Sequence, residues 1–77
     1  MLPDLCALIV DDEQDIRALI GMALERIDIT CEQAANVTEA IALLESRSFH
    51  FCITDMKLPD GDGVQLIHHC NRNYPDM

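Results

Sequence analysis

Three aspartates follow the predicted strands directly, and their positions favour chemistry at one place in the fold. Asp11 and Asp12 come after an apolar run at residues 5–10, and Asp55 comes after a second run at residues 49–54. Both runs are too short for helices and predict strands. Because ligands of open parallel sheets bind beyond the carboxyl ends of the strands, we expect the three carboxylates to converge there.

Converging carboxylates predict a site for a divalent cation and for phosphoryl chemistry. Like charges held a few ångströms apart repel one another unless a cation lies between them. Mg²⁺ prefers hard oxygen ligands in an octahedron and keeps several waters. A carboxylate can also be the nucleophile that accepts a phosphoryl group, with catalysis supplied by positioning and electrostatics. A single aspartate after a strand more often caps a helix and faces solvent, but an adjacent pair with a third nearby favours the site.

The elements that must position these carboxylates alternate along the chain. Between the two strands we expect a helix, a weaker strand at residues 29–34 and a second helix after Asn36. A third helix begins near Val64 and stops before Tyr74. The first helix is indicated by apolar residues at helical spacing, namely Ile16, Leu19, Ile20, Ala23, Leu24 and Ile27. This βαβαβα order implies an α/β fold with parallel strands joined by right-handed crossovers.

Local signals predict how the helices begin and which residues they bury. Asp12 is expected to cap the first helix, and Asn36 the second. Residues 58–63 are dense in turn residues and separate the last strand from the last helix. The residues of the third helix that are expected to face inward are Leu66, Ile67 and Cys70.

The composition disfavours several classes of function. Five basic residues against 14 acidic ones give a formal net charge of −9. Because phosphate backbones require Lys and Arg, we expect no direct nucleic-acid binding by this chain. No apolar run approaches the roughly 18 residues of a membrane span, and no signal peptide is evident, so we expect no membrane contact and a cytoplasmic location. The four cysteines are widely spaced and predict neither a zinc site nor disulfides.

Two segments resemble a known family. Residues 9–13, Ile-Val-Asp-Asp-Glu, and residues 53–63, Ile-Thr-Asp-Met-Lys-Leu-Pro-Asp-Gly-Asp-Gly, are similar to the receiver domain of bacterial two-component response regulators. The resemblance covers nearly the whole chain in register. Within the family, the sequence is most similar to receivers that precede sigma-54-dependent transcription activators of the type IV pilus regulator kind. The resemblance implies a partial flavodoxin-like α/β fold with strand order 2-1-3.

The resemblance also implies roles for individual residues. It makes Asp55 the residue that a sensor histidine kinase phosphorylates. The Mg²⁺ ligands that it implies are Asp11, Asp12, Asp55 and the backbone carbonyl of Lys57. Asp12 would bind the ion directly, and Asp11 mainly through water. The implied protein is a switch that an output domain reads, expected to be a transcriptional activator, and it assists its own phosphorylation at most rather than acting as an enzyme.

The chain differs from the family pattern in its extent. A complete receiver resembles five βα units, whereas residues 1–77 resemble the first three, so we interpret them as the N-terminal portion of a single receiver domain. In the family, two later strands end in a Ser or Thr and in a Lys, and residues 1–77 contain no counterpart of these strands. Lys57 is not the family's lysine, because it lies two residues after Asp55. The third strand would then be an exposed edge, and we expect two copies to associate through it or to exchange elements.

Two other functions compete with the phosphoacceptor interpretation. A truncated receiver or a pseudo-receiver would act only as a binding or dimerisation module, without phosphorylation. A phosphatase or phosphotransferase with a carboxylate nucleophile would carry a second aspartate two residues after that nucleophile. This chain has Lys57 at that position, which disfavours the phosphatase.

Overall fold

The computed structural model describes residues 4–77; the predicted domain also includes residues 1–3, which lie outside this description. The strands are β1 (Leu5–Val10), β2 (Ile29–Ala34), β3 (Phe51–Thr54), β4 (Lys57–Leu58) and β5 (Gly61–Asp62). The helices are α1 (Gln14–Glu25), α2 (Val37–Ser46) and α3 (Gly63–Asn73). A small antiparallel pair, β4 and β5, occupies the predicted turn region. Within residues 4–77, no helix has the length and apolar character that a membrane crossing requires.

The main sheet has the predicted strand order, with β1 between β2 and β3 and both pairings parallel. Ala7 of β1 lies opposite Cys31 on one side and Phe51 on the other. Because helices cover both faces of β1, its residues from Ala7 to Val10 are buried, which explains why the strand is an uninterrupted apolar run. The predicted α/β fold with order 2-1-3 is confirmed.

The main core lies between the sheet and the helices α2 and α3. Its buried members are Leu8, Val10, Ala34, Val37, Ala40, Leu44, Phe49, Leu58, Leu66 and Cys70. Leu66 and Cys70 of α3 therefore face inward as predicted. Ile67 is not buried, because 45% of its surface is exposed. That part of the prediction is wrong.

Helix α1 forms as predicted but buries little of its apolar stripe. Leu19 is 64% exposed, and Gly21 is the buried residue of the helix. Ile27, which the predicted stripe included, lies beyond the end of α1 and is 65% exposed. Most of the stripe is exposed because α1 packs mainly against β1 and β2. Among residues 4–77, no other element packs substantially against the rest of the stripe. Periodicity therefore predicted the helix correctly, while its burial depends on neighbours that a local pattern does not contain.

Helices α2 and α3 begin with side-chain caps. The Asn36 side chain accepts a hydrogen bond from the backbone N–H of Glu39 at 2.8 Å, which confirms the predicted cap of α2. Helix α3 begins at Gly63, and the Asp62 side chain accepts from the N–H of Gln65 at 2.6 Å. The start of α3 thus lies within one residue of its predicted position.

The predicted cap of α1 is wrong. The residue before α1 is Glu13, which makes no side-chain cap bond, and Asp12 does not cap the helix either. Instead, the Asp11 carboxylate accepts a hydrogen bond from the backbone N–H of Glu13 at 2.9 Å. Asp12 remains exposed at the end of β1, with its carboxylate available for another role.

Candidate metal centre

The ends of β1 and β3 bring three carboxylates together. The two strands are neighbours, and their pairing continues to Asp55, whose backbone N–H donates to the carbonyl of Val10 at 3.0 Å. One carboxylate oxygen from each of Asp11, Asp12 and Asp55 lies within 4.8 Å of the other two. The structure therefore contains the convergence that the sequence predicted.

Three hydrogen bonds hold the backbone and side chain of Asp11 in place. Its N–H donates to the carbonyl of Ala34 at 3.1 Å, and its own carbonyl accepts from the guanidinium of Arg17 at 2.7 Å. One of its carboxylate oxygens accepts from Glu13, as described above. Asp11 is half-buried, whereas Asp12 and Asp55 are exposed, so the three groups form an open site with one rigid member.

Asp55 has one carboxylate oxygen engaged and one available. Its Oδ1 accepts a hydrogen bond from the backbone N–H of the next residue, Met56, at 2.7 Å. The other oxygen accepts no hydrogen bond from the described part of the chain. Met56 is 52% exposed beside it, so the approach to Asp55 is open and bordered by an apolar side chain.

Gly63 lets the loop after Asp55 close tightly. A Cβ at Gly63 would overlap the carbonyl oxygen of Asp55 and would lie 3.1 Å from Cα of Met56. The N–H of Gly63 also donates to the carbonyl of Met56 at 3.0 Å. A side chain at this position would therefore push the backbone of Asp55 away from its observed place.

Lys57, the remaining predicted ligand, lies in the short pair formed by β4 and β5. It lies opposite Asp62, and the hydrogen bond between Gly63 and Met56 flanks this pair. The two residues therefore form a non-hydrogen-bonded pair, which leaves the Lys57 carbonyl outside the ladder. A role for this carbonyl as a metal ligand remains a prediction.

Asp60 is a residue of this loop whose role the sequence analysis missed. Its carboxylate accepts hydrogen bonds from the backbone N–H groups of Val37 at 2.7 Å and Thr38 at 2.9 Å. It also accepts from the Thr38 hydroxyl at 2.6 Å. The hydroxyl bond, followed by the backbone bonds, lowers the pKa of Asp60 below its ordinary value. The only local signal is an acidic residue in a turn, which does not indicate a partner 22 residues away.

The donor set of the site fits Mg²⁺. Within residues 4–77, the cluster of potential metal ligands consists of carboxylates, with no thiol or imidazole among them. The ion pair that the described residues form joins Arg47 to Glu32, so none of the three aspartates is paired with a basic side chain. Hard oxygen donors with uncompensated negative charge are what Mg²⁺ requires.

An α/β fold whose parallel sheet carries an acidic cluster at the carboxyl ends of its strands defines the class of this domain. Residues 7–77 match the sequence model of the response regulator receiver domain. The chain belongs to this family, and the resemblance noted in its sequence is confirmed. Domains of this family are signalling modules.

Individual relatives agree with this assignment. The response regulator protein PilR of Pseudomonas aeruginosa is 46% identical over 69 residues, which are 90% of this chain and 16% of PilR. The phosphate regulon transcriptional regulatory protein PhoB of the same organism is 36% identical over 66 residues, covering 86% of this chain and 29% of PhoB. The crystal structure of response regulator protein TrrA from Thermotoga maritima, in complex with Mg²⁺ and BeF, has a TM-score of 0.89 and 26% identity. The match covers 94% of this chain and 63% of the TrrA chain.

The chain spans less than a third of the length of these curated relatives. The similarity to PilR confirms the predicted kinship with a pilus regulator. The relatives include transcriptional regulators of two-component systems, in agreement with the predicted class of protein.

Proposed function

We propose that this chain is a phosphoacceptor receiver in which Asp55 takes a phosphoryl group from a sensor histidine kinase. The observation that carries the proposal is the group of three carboxylates within 4.8 Å of one another, in a chain of the receiver family. Asp55 follows β3 directly, and one of its oxygens accepts no hydrogen bond from the described chain, so it is placed to act as the nucleophile.

The same group supports a Mg²⁺ site. Asp12, Asp55 and the Lys57 carbonyl would hold the ion directly, and Asp11 would act mainly through water. When bound, the ion would neutralise negative charge on the phosphoryl oxygens. TrrA, whose structure contains Mg²⁺ and BeF, is a relative with the same fold, which supports the assignment of this edge of the sheet.

The proposed step is a displacement at phosphorus. An oxygen of Asp55 forms a bond to phosphorus while the bond from phosphorus to the imidazole nitrogen of the kinase histidine breaks. The electron pair of the broken bond stays on that nitrogen, and the product is an acyl phosphate on Asp55. The chain supplies position and electrostatics for this step, so it assists its own phosphorylation rather than turning over a metabolite.

The proposed partners follow from the relatives. PilR is a response regulator and PhoB a transcriptional regulator, so we propose a transcriptional output domain for this receiver. The resemblance noted in the sequence favours an output domain of the sigma-54-dependent type. With a net charge of −9, the chain itself is not proposed to bind DNA. We also propose a cytoplasmic location. Residues 1–77 are proposed to be the N-terminal portion of one receiver domain.

Intact-mass spectrometry after incubation with acetyl phosphate tests this function. We expect addition of one phosphoryl group in the presence of Mg²⁺, and none with EDTA or in the Asp55→Asn variant. Asp76→Asn is a matched control, because Asp76 is exposed and does not belong to the group of three carboxylates. It should be labelled like the wild-type chain. Mg²⁺-independent labelling, or labelling of Asp55→Asn, would contradict the proposal.

A second function is supported by the edge of the sheet. Among the described residues, β3 pairs with β1 alone, and all four of its residues are half-buried. A receiver or pseudo-receiver that acts only as a binding or dimerisation module would use this edge without phosphorylation. Absence of labelling under all conditions, together with self-association, would favour this alternative.

A further inference from the structure

Arg17 connects three elements at the edge of the acidic cluster. It lies in the first turns of α1 and is half-buried. Its Nη1 donates to the backbone carbonyl of Asp11 at 2.7 Å, and its Nε donates to the side-chain oxygen of Gln33 on β2 at 3.2 Å. The guanidinium thus binds a backbone group beside the cluster rather than any of its carboxylates.

The Asp11 carbonyl belongs to the peptide unit that leads into Asp12. Because a peptide unit is planar, fixing the direction of this carbonyl also fixes the N–H of Asp12 and the start of its backbone. The Asp12 side chain accepts no hydrogen bond from the described residues, so its direction depends on that backbone. The bond from Arg17 therefore acts on Asp12 without contact between the two side chains.

The contact with Gln33 keeps the guanidinium in place. Arg has a planar fork whose donors point in defined directions, so two acceptors fix its orientation where one would not. The amide of Gln33 lies next to Gly21, since a Cβ there would be 3.7 Å from Gln33 Nε2. The two hydrogen bonds that Arg17 donates, to the Asp11 carbonyl and to Gln33, thus form a clamp that joins the end of β1 to β2.

We infer that Arg17 is a positioning residue: through this clamp it orients the peptide between Asp11 and Asp12, so that Asp12 is presented to the metal. Arg17 does not touch the ion or the phosphoryl group. The inference rests on the proposed function, because it assumes that the three carboxylates bind Mg²⁺. Groups that orient metal ligands typically contribute about 10–100-fold to metal affinity.

Calorimetric titration of the full chain with Mg²⁺ alone tests the inference. We expect Arg17→Gln to raise the dissociation constant of Mg²⁺ about tenfold. Arg17→Lys should give a smaller increase, since lysine can donate to the Asp11 carbonyl but lacks the planar fork that orients the guanidinium toward Gln33 at the same time. Arg26→Gln is the matched control, because Arg26 is exposed at the other end of α1, and it should bind Mg²⁺ like the wild-type chain.

Urea unfolding of the same variants separates positioning from stability. A merely structural role would lower the unfolding midpoint of Arg17→Gln but leave its Mg²⁺ dissociation constant unchanged at low urea, and this result would overturn the inference. If Arg17→Gln does not fold, the Mg²⁺ dissociation constant of Arg17→Lys is the test. A value equal to that of the wild-type chain would overturn the inference. Failure of the wild-type chain to bind Mg²⁺ would instead overturn the proposed function itself.

Discussion

Gly63 shows at the scale of single residues how tightly the chain packs around Asp55. The backbone of Gly63 lies against the carbonyl of Asp55 and donates to the carbonyl of Met56. A glycine is needed here because of close approach rather than an unusual backbone angle, since no glycine in the described residues has a positive φ. The position of the Asp55 carboxylate therefore depends on a residue eight positions later in the sequence.

We predict that Gly63→Ala is destabilising. The added methyl group would overlap backbone atoms, which cannot move as a flexible side chain could, and overpacking of this kind costs about 1–3 kcal/mol. Urea unfolding at neutral pH measures the loss. Because the displaced carbonyl belongs to Asp55, we also expect slower labelling of this variant by acetyl phosphate.

Gly21→Ala is the control for this prediction. A Cβ at Gly21 would lie 3.7 Å from Gln33 and 3.9 Å from Ile9, both ordinary contacts. Because alanine is favoured over glycine inside a helix by about 1 kcal/mol, stability should stay the same or rise by up to about that amount. Equal losses in both variants would show that the overlap at Gly63 is not the cause.

At the scale of elements, the start of α2 is capped by two different parts of the chain. Asn36 accepts from the N–H of Glu39, and Asp60, from the turn between β4 and β5, accepts from Val37 and Thr38. These backbone N–H groups have no partners within the helix, so the two caps satisfy them together. The cap from Asp60 also fastens the loop that follows Asp55 to α2.

We predict that Asp60→Asn lowers the urea midpoint at neutral pH, and that the difference from wild type depends on pH. The folded-state pKa of Asp60 lies below its ordinary value of 3.8, so its stabilising effect is complete above that value. The effect is lost as the pH falls through the lower, folded-state pKa. The gap between wild type and variant should therefore narrow as the pH falls below 3.8.

Asp76→Asn is the control for the pH dependence, because Asp76 is exposed and no described residue hydrogen-bonds to its side chain. Its midpoint should follow that of the wild-type chain at every pH. A gap for Asp60→Asn that stays constant as the pH falls would mean that the carboxylate charge of Asp60 does not stabilise α2.

At the scale of the whole molecule, residues 4–77 include two exposed apolar surfaces that lie on different elements. One is the β3 edge, which is the strand Phe51–Thr54, and the other is the outer stripe of α1 that includes Leu19. An unpaired strand edge offers backbone hydrogen bonds to another chain, whereas a helix surface offers only apolar contact. We therefore propose the β3 edge, rather than α1, as the surface through which copies of the chain would associate.

We predict that the molar mass of the chain in light scattering rises with concentration, and that Ile53→Lys shifts this rise to higher concentration. A lysine on each β3 edge would place like charges together and require their burial on pairing. Leu19→Lys places the same charge on α1 and should leave association unchanged. A chain that stays monomeric at all concentrations would contradict the prediction, and a stronger effect of Leu19→Lys would move the interface to α1.

The sequence by itself determined the features that depend on neighbours along the chain. Apolar periodicity predicted three helices and three main strands, and Asn36 marked the start of α2. The position of Asp11, Asp12 and Asp55 after two of those strands, together with the general geometry of parallel sheets, was sufficient to predict their convergence. Each of these inferences uses residues within a few positions of one another or a rule that holds for every sheet of this type.

Only the tertiary structure decided which groups from distant parts of the chain meet. The cap from Asp60 on α2, the bond from Arg17 to the Asp11 carbonyl and the closeness of Gly63 to Asp55 join different elements. The exposure of α1 likewise depends on which elements lie beside it. Side-chain periodicity indicates which face of an element can be buried. Which other element covers that face is determined by packing in three dimensions.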